Sequence, residues 1–350
     1  MNREIPVGIL STGTYIPRHF LSSTEIARLS GLSQEIVEQK LGFRRKPVPG
    51  PEDHTIEMGI RAAREAIRKA GSDPMEIDLV IYIGEEYKEH PLMTAGIKLQ
   101  AGVGAHNAWA FDVQMRCGTM VMALKVARDL MLQNQDINTV LLAGGYRNGD
   151  LIDFKNPRVR FMYNLAAGGA AVILKKGLAE NEVLATRVLT DGSLADCIGV
   201  TAGGTRVPMT PENVAQGLYT LDVFDPDGMK ARLEEVSMPN FLRVIRESVA
   251  ASGYSQEDID YLCILHMKRS AHDYILSRLG LRPEQAIYLE DYGHLGQMDQ
   301  VLSLELALAS GQVRDGSLVV MVSAGIGYAW TATTIRWGKN GRPTTVLTDD

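Results

Sequence analysis

Residues Ala62–Gly84, AAREAIRKAGSDPMEIDLVIYIG, and residues Val244–His266, VIRESVAASGYSQEDIDYLCILH, are two versions of one stretch of sequence. They align without a gap, and each predicts a helix that a glycine ends, followed by a buried strand. The chain is therefore predicted to contain two copies of one α/β unit, related by an internal pseudo-twofold axis. Identical residues occur at Arg64/Arg246, Glu65/Glu247, Gly71/Gly253, Ile77/Ile259 and Asp78/Asp260.

The similarity continues downstream of both copies and places a reactive residue in each half. In the first half, a predicted strand at Ala108–Val113 leads to Cys117 and then to an amphipathic helix. In the second half, a predicted strand at Ala286–Leu289 leads to His294 and then to another helix. Cys117 and His294 are therefore expected at equivalent strand-to-helix turns.

Two more polar residues follow the repeated strand itself. His266 ends that strand in the second half, and Glu85 follows the corresponding strand in the first half. Ligands of open α/β sheets bind at the C-terminal ends of the strands. We therefore expect the thiol, the two imidazoles and the carboxylate to face one site.

The composition is that of a globular protein without special chemical demands. The chain has 350 residues, 45% of them apolar and 22% charged, and three cysteines, an odd number that does not indicate a secreted disulfide framework. A formal net charge of −6 gives no electrostatic signature for nucleic-acid binding. No apolar run approaches membrane-spanning length and the N-terminus lacks a signal peptide pattern, so the sequence predicts a cytoplasmic protein without a membrane segment.

The repeat divides the chain into two halves and a tail. We predict an N-terminal half at residues 1–177 that carries Cys117, a C-terminal half at residues 184–338 that carries the two histidines, and a polar tail at residues 339–350. The irregular stretch Thr201–Gly228 is interpreted as an insertion that covers one face. Residues Met229–Ser252 predict a helix that Pro239 interrupts.

Cys117 is the strongest candidate for a nucleophile. The N-terminus of the following helix and the neighbouring Arg116 are expected to stabilise its thiolate and lower its pKa. A buried cysteine more often serves as a small apolar residue, which is how Cys263 is interpreted. Zinc bound by Cys117, His266 and His294 is the competing interpretation. No closely spaced ligand pair such as CxxC occurs, however, so no metal site is predicted.

The motifs around these residues resemble those of the thiolase superfamily, and within it β-ketoacyl synthase III-type condensing enzymes. The resemblance runs nearly end to end. The matching stretches are GILSTGTYIP at the first strand, EQKLGFRRK at an early turn, FDVQMRCGT around Cys117, ILH at His266, YGHLGQ at His294 and SAGIGYAWTATTIRW near the end.

The resemblance implies a duplicated, five-layer α-β-α-β-α fold and a homodimer. It implies that an acyl group passes from coenzyme A or an acyl carrier protein to Cys117 and then condenses with a second thioester. No cofactor is implied besides these substrates. Backbone N–H groups at Cys117 and near Gly325–Ile326 would bind the oxyanion, and His266 and His294 would donate to the enolate. The basic cluster at Lys40, Arg44, Arg45 and Lys46 would form the substrate entrance, although a solvated charged turn explains it equally well.

Three residues depart from the pattern of that family and keep other functions open. His294 replaces the usual asparagine, Arg269 stands where a second asparagine is usual, and Ile36 replaces an aromatic residue. Glu85 aligns with the general base of hydroxymethylglutaryl-CoA synthases, so condensation without decarboxylation is one alternative. The bland interpretation of Glu85 or Glu86 is a solvated loop acid. A catalytically silent, acyl-binding partner subunit is another alternative.

Overall fold

The computed structural model describes residues 5–339. Within this range the chain forms thirteen β-strands and eight α-helices. The strands are β1 (Val7–Tyr15), β2 (His19–Ser22), β3 (Arg45–Val48), β4 (Leu79–Tyr82), β5 (Trp109–Asp112), β6 (Thr139–Tyr146), β7 (Gly168–Lys176), β8 (Glu182–Thr190), β9 (Ile198–Val200), β10 (Leu221–Val223), β11 (Tyr261–Ile264), β12 (Leu318–Gly325) and β13 (Ala329–Arg336). The helices are α1 (Ser23–Ser30), α2 (Thr55–Ala70), α3 (Ala95–Val103), α4 (Thr119–Gln133), α5 (Pro211–Ala215), α6 (Pro226–Ala251), α7 (Arg269–Leu279) and α8 (Asp299–Ala309).

Nine of the strands form one sheet that consists of two similar halves. The order is β11-β12-β13-β8-β1-β7-β6-β4-β5, and the halves meet between β8 and β1 through the single residue pair Gly8/Glu182. In each half a parallel pair (β4/β6 and β11/β12) continues into antiparallel pairs. Residues 178–181, at the predicted junction, form the turn from β7 to β8.

The helices complete five layers. Helices α2 and α3 cover the outer face of the half-sheet that contains β1 and β4–β7, and α6, with α7 packed on it, covers the outer face of the other half-sheet. Helices α4 and α8 lie between the two half-sheets and contact strands of both. The predicted duplicated α/β fold with five layers, α-β-α-β-α, is therefore confirmed.

The identical aspartates of the repeat have the same structural role in both halves. A carboxylate oxygen of Asp78 accepts hydrogen bonds from the backbone nitrogens of Asn138 (2.8 Å) and Thr139 (2.9 Å), at the start of β6. A carboxylate oxygen of Asp260 accepts one from the backbone nitrogen of Leu318 (2.8 Å), at the start of β12. Each aspartate thus joins the repeated strand to its parallel neighbour, so the repeat preserves the pairing of those strands.

Two predictions of local structure are wrong. Residues Ala286–Leu289 do not form a strand. The side chain of Gln285 donates to the carbonyl oxygens of Ile259 and Asp260, and the backbone N–H of Ile287 donates to the hydroxyl of Tyr261. These bonds take the place of a backbone ladder. Pro239 does not interrupt its helix, and α6 runs through it unbroken. Pro239 lies on the exposed side of α6, where water can satisfy the carbonyl group that loses its intrahelical donor.

Other predicted elements differ in detail from the structure. Residues Ile36–Leu41 form a π-helical turn. The insertion at Thr201–Gly228 contains α5 and β10, and β10 pairs with β9 in a two-stranded sheet. The polar tail falls beyond Lys339 and thus outside the described residues. Among residues 5–339, no helix combines the length and the apolar character needed to cross a membrane.

Candidate active site

A cavity of about 1740 Å³ opens where strand ends of both halves converge. Glu85 follows β4, Cys117 follows β5 and His266 follows β11, as the positions of these residues in the sequence predict. His294 precedes α8, and all four side chains line this cavity. The apolar part of its wall comes mainly from the segment after β8, including Ile198, Met209, Tyr219, Leu221, Met229, Leu233 and Phe241.

Cys117 lies in a short 3₁₀ turn, Arg116–Gly118, that leads directly into α4. The turn is tight, since Arg116 adopts a left-handed backbone conformation with φ 52°. The end of β12 packs against it: a Cβ atom on Gly325 would lie 2.5 Å from the carbonyl oxygen of Met115. Glycine at position 325 therefore allows the loop after β12 to approach the backbone of Cys117.

The thiol of Cys117 contacts the imidazole of His294. The Sγ atom lies 3.1 Å from Nε2 of His294, and Nδ1 of His294 lies 2.5 Å from Oδ2 of Asp299. Asp299 is fully buried. Its Oδ1 accepts a hydrogen bond from the backbone nitrogen of Leu295 (2.7 Å), and its Oδ2 accepts one from that of His266 (2.7 Å). Cys117, His294 and Asp299 thus form a continuous chain of contacts.

Asp299 is a site residue that the sequence analysis missed. It is the first residue of α8, a position where acidic residues are common because they favour the helix N-terminus. Position alone therefore does not distinguish it from an ordinary helix-starting aspartate. Its partners lie on residues 266, 294 and 295, and the contact with residue 266 forms only when the chain folds.

The protonation states of Cys117 and His294 depend on burial, on the contact between the two side chains and on Asp299. Burial raises the pKa of the Cys117 thiol, and His294 opposes that effect. The predicted lowering of this pKa is therefore wrong, because desolvation is the larger cause. Burial acts to lower the pKa of His294, but Asp299 and Cys117 hold it well above its usual range.

His266 has a different environment from His294. Burial holds its pKa well below the usual range, so the ring is neutral. Neither ring nitrogen has a hydrogen-bond partner among residues 5–339. The ring lies against Tyr288, with 4.8 Å between ring centroids. A neutral imidazole with free nitrogens in a cavity can donate one hydrogen bond to a ligand and accept another.

Glu85 is buried beside the thiol and is not a solvated loop acid. Its Oε2 accepts a hydrogen bond from the Asn148 side chain (2.6 Å) and lies 3.8 Å from a guanidinium nitrogen of Arg116. Burial raises the pKa of Glu85, whereas Arg116 and Asn148 oppose that shift. The exposed neighbour Glu86 forms an ion pair with Arg116 and fits the solvated interpretation.

Comparison with known proteins identifies the family of the chain. The family model described as 3-Oxoacyl-[acyl-carrier-protein (ACP)] synthase III matches residues 111–192, and the model for the C-terminal part of that family matches residues 249–337. A Beta-ketoacyl-[acyl-carrier-protein] synthase III from Symbiobacterium thermophilum is 30% identical over 340 residues, which cover 95% of this chain and 99% of the relative.

The chain belongs to the 3-oxoacyl-[acyl-carrier-protein] synthase III family. It is thus an acyltransferase of the condensing type. The relative of the same name from Rhizorhabdus wittichii is 27% identical, with 96% of this chain and 100% of the relative covered. The crystal structure of the Aquifex aeolicus 3-oxoacyl-[acyl-carrier-protein] synthase III has the same fold, with a TM-score of 0.81 at 22% identity, and 95% of this chain and 100% of that chain are covered.

Most of the basic residues predicted to form the substrate entrance of this synthase III-family chain do not line a cavity. Arg44 forms ion pairs with Glu290 and Asp291, and Arg45 pairs with Asp291 and stacks on Phe20. Neither arginine lines the cavity. Lys46 is buried and donates hydrogen bonds to the carbonyl oxygens of residues 163 (2.8 Å) and 165 (2.6 Å).

Other basic side chains surround a second depression, of about 710 Å³, that shares Leu41 and Lys268 with the main cavity. Only Lys40 of the predicted cluster lies here. It is joined by three residues that the sequence analysis did not select as entrance residues, Arg160, Lys268 and Arg269. Ile36 also lines this depression. The cations come from three separate segments, so sequence proximity did not reveal them.

The remaining predicted residues lie near the thiol. Ile326 lines the cavity, and Gly325 is adjacent to the backbone of Cys117. Across residues 5–339, no group of three or more His, Cys, Asp and Glu side chains is arranged to hold a metal ion.

Proposed function

We propose that the protein transfers an acyl group from a thioester to Cys117 and condenses it with a second, malonyl-type thioester by Claisen chemistry. The observation that carries this proposal is the contact between the Cys117 thiol and His294 at the bottom of a large cavity, within a chain of the synthase III family. An imidazole in contact with a thiol can accept its proton, and the thiolate then attacks the thioester carbonyl.

The backbone N–H groups near the thiol and the two histidines have further roles in this reaction. The backbone N–H groups of Cys117 and Ile326 bind the oxyanion of the tetrahedral intermediate. His266 donates a hydrogen bond to the thioester enolate that decarboxylation produces, which its free ring nitrogens permit. His294 donates a second one after the acyl group has replaced the thiol proton.

The two parts of the cavity suit the two parts of a thioester substrate. The basic depression at Lys40, Arg160, Lys268 and Arg269 attracts the phosphate groups of coenzyme A or of an acyl carrier protein. The apolar wall after β8 receives the acyl chain. A volume of about 1740 Å³ exceeds the roughly 300–1,000 Å³ of ordinary small-molecule sites, so a pantetheine arm and a long chain fit together.

The sheet also supports the proposal that the protein is a homodimer, which we place in the cytoplasm. Strand β5 is one of the two edge strands of the nine-stranded sheet, and Trp109 on it is 53% exposed. Ile97 on α3 and Leu92 nearby add exposed apolar surface. An exposed apolar edge strand pairs readily with another chain, and a twofold axis would pair β5 with its own copy.

Glu85 favours a second candidate reaction, condensation without decarboxylation. A buried carboxylate beside an acylated Cys117 could abstract a proton from the α-carbon of an acyl group. In the variant Glu85→Gln, this mechanism loses condensation and keeps acylation. Condensation of two acyl thioesters without a malonyl-type substrate, by that variant at a rate within about tenfold of wild type, would exclude the base role. The third candidate, a silent acyl-binding subunit, has no observation in its favour.

The experiment that tests the proposal is direct detection of the acyl-enzyme. Purified protein is incubated with a panel of acyl-CoA and acyl-carrier-protein thioesters, and peptide mass spectrometry maps the added mass. We expect acylation at Cys117 and none in Cys117→Ala. Cys263→Ala, which removes a buried thiol outside the cavity, is the matched control and should still be acylated. Absence of acylation with every donor would overturn the proposal.

A further inference from the structure

Both nitrogens of the His294 ring are committed to partners. Nε2 lies 3.1 Å from Sγ of Cys117, and Nδ1 lies 2.5 Å from Oδ2 of Asp299. The carboxylate itself is fixed, because its two oxygens also accept the backbone N–H groups of Leu295 and His266. The orientation of the imidazole is therefore set by an anchored, fully buried anion.

This geometry is that of a nucleophile, a base and an orienting carboxylate. With Nδ1–H donated to Asp299, the lone pair of Nε2 points toward Sγ and can take its proton. When Cys117 carries an acyl group, the same lone pair faces the thioester instead. An asparagine amide at position 294 could donate a hydrogen bond there, but it could not remove a proton from an attacking group.

The surroundings of the thioester suit a neutral attacking group. A hydroxyl group enters a buried site at a lower desolvation cost than an ammonium group does. His266 is neutral, and its two ring nitrogens have no hydrogen-bond partner among the described residues. It can therefore accept a hydrogen bond from a hydroxyl group or donate one to it. Asn148 and Arg158 also line the cavity, and its volume of about 1740 Å³ leaves room for an acceptor beside the acyl group.

We propose that the acyl group on Cys117 is also transferred to the hydroxyl group of an alcohol, with His294 as general base and Asp299 as a positioning residue. The hydroxyl oxygen attacks the thioester carbonyl carbon while its proton moves to Nε2 of His294. The carbon–sulfur bond then breaks, and that proton moves to Sγ. The products are an oxygen ester and the free thiol. The inference rests on the proposed acylation of Cys117, and condensation is not required for it.

The test separates discharge of the acyl-enzyme from its formation. Acyl-enzyme is prepared with the donor that labels Cys117 best, desalted, and mixed with n-propanol, with ethylene glycol or with buffer alone. Loss of the acyl mass and appearance of the oxygen ester are followed by mass spectrometry. We expect alcohol-dependent discharge by the wild-type protein, slowed on the order of a hundredfold in Asp299→Asn. Asp78→Asn, the same change at a carboxylate outside the cavity, should discharge at the wild-type rate.

A pH profile distinguishes positioning of the base from a general loss of structure. The titratable groups that face His294 from the surrounding elements are Asp299, Cys117, Glu85, His266 and Tyr146. Discharge requires neutral imidazole, so its rate rises with pH through the pKa of His294. Loss of the Asp299 charge lowers that pKa and moves the rise to lower pH, which a merely unfolded fraction would not do.

The variant His294→Asn tests the base even if Asp299→Asn does not fold. We expect its acyl-enzyme, formed slowly by prolonged incubation with the donor, to show no alcohol-dependent discharge, and alcohol-dependent discharge at the wild-type rate would overturn the role of His294. Discharge of the wild-type acyl-enzyme that alcohol does not accelerate, with condensation present, would overturn this inference and leave the proposed function intact. If Cys117 were never acylated, both would be overturned.

Discussion

The Nδ1 atom of His294 lies 2.5 Å from the Oδ2 atom of Asp299, whose side chain is completely buried. The same oxygen accepts the backbone N–H of His266. The carboxylate of Asp299 therefore favours the charged form of His294 and also holds the backbone of His266 in position. Loss of its charge should therefore change the protonation of His294.

We predict that Asp299→Asn moves the acid limb of the pH–rate profile for Cys117 acylation to lower pH. Imidazolium must lose its proton before it can accept that of the thiol, and the carboxylate favours imidazolium. Without that charge, the pKa of His294 falls from its raised value. The maximal rate should also fall on the order of a hundredfold, because the amide does not fix the tautomer. Stopped-flow measurements of acylation across pH give the position of the acid limb and the maximal rate. An acid limb at the same pH in the variant and in the wild type would contradict the role assigned to Asp299.

We predict that Lys46→Met destabilises the protein by about 2–4 kcal/mol, because it leaves two buried carbonyl groups without a donor. The ammonium of Lys46 donates to the carbonyl oxygens of Tyr163 and Leu165, and Leu165 forms an isolated β-bridge with His294. Urea unfolding measures the free energy. Lys40→Met, at an exposed lysine six residues earlier, is the control, and equal stability of the two variants would refute the prediction.

We predict that Leu233→Trp shortens the acyl chain that the protein accepts. Leu233 lines the apolar wall of the cavity from α6, and the indole would occupy space that a long chain uses. The ratio of kcat/KM for a long-chain donor to that for acetyl-CoA should fall at least about tenfold. Leu29→Trp, on exposed α1 outside the cavity, is the control. The idea fails if the ratio is the same in both variants.

We predict that Trp109→Lys prevents formation of the proposed homodimer and yields monomers. Trp109 stacks on Phe111 along an edge strand of the sheet, with 5.3 Å between ring centroids, and a lysine there would oppose its own copy across a twofold axis. Light scattering during size-exclusion chromatography gives the mass. Tyr274→Lys, at another exposed aromatic residue, should leave the mass unchanged, and a dimeric Trp109→Lys protein would place the interface elsewhere.

Features that depend on local or repeated sequence were predictable. Helix α2 ends at the predicted glycine, Gly71, which adopts a left-handed conformation. Cys117 and His266 follow from their positions after strands, and His294 follows from its correspondence to Cys117 in the repeat. The structure brings all three to one cavity. Their chemical roles stay predictions that the proposed experiments test.

The errors arise where distant segments decide the outcome. Asp299 looks like an ordinary helix-starting residue until folding brings it to the backbone of His266. The basic depression contains Arg160 and Lys268 from separate segments, whereas the adjacent Arg44 and Arg45 form ion pairs with Glu290 and Asp291. The pattern of residues 286–289 resembles a strand, but strand formation depends on a pairing that side chains of Gln285 and Tyr261 replace.

The failure of residues 286–289 to become a strand limits how copies of this protein can assemble. A chain made of two similar halves would carry two similar sheet edges, and each could pair with either edge of another copy. Head-to-tail pairing of that kind produces filaments when the rotation does not close a ring. Here the side chains of Gln285 and Tyr261 hold this segment beside β11, so that edge differs from β5. We expect this difference between the two edges to disfavour head-to-tail pairing of copies.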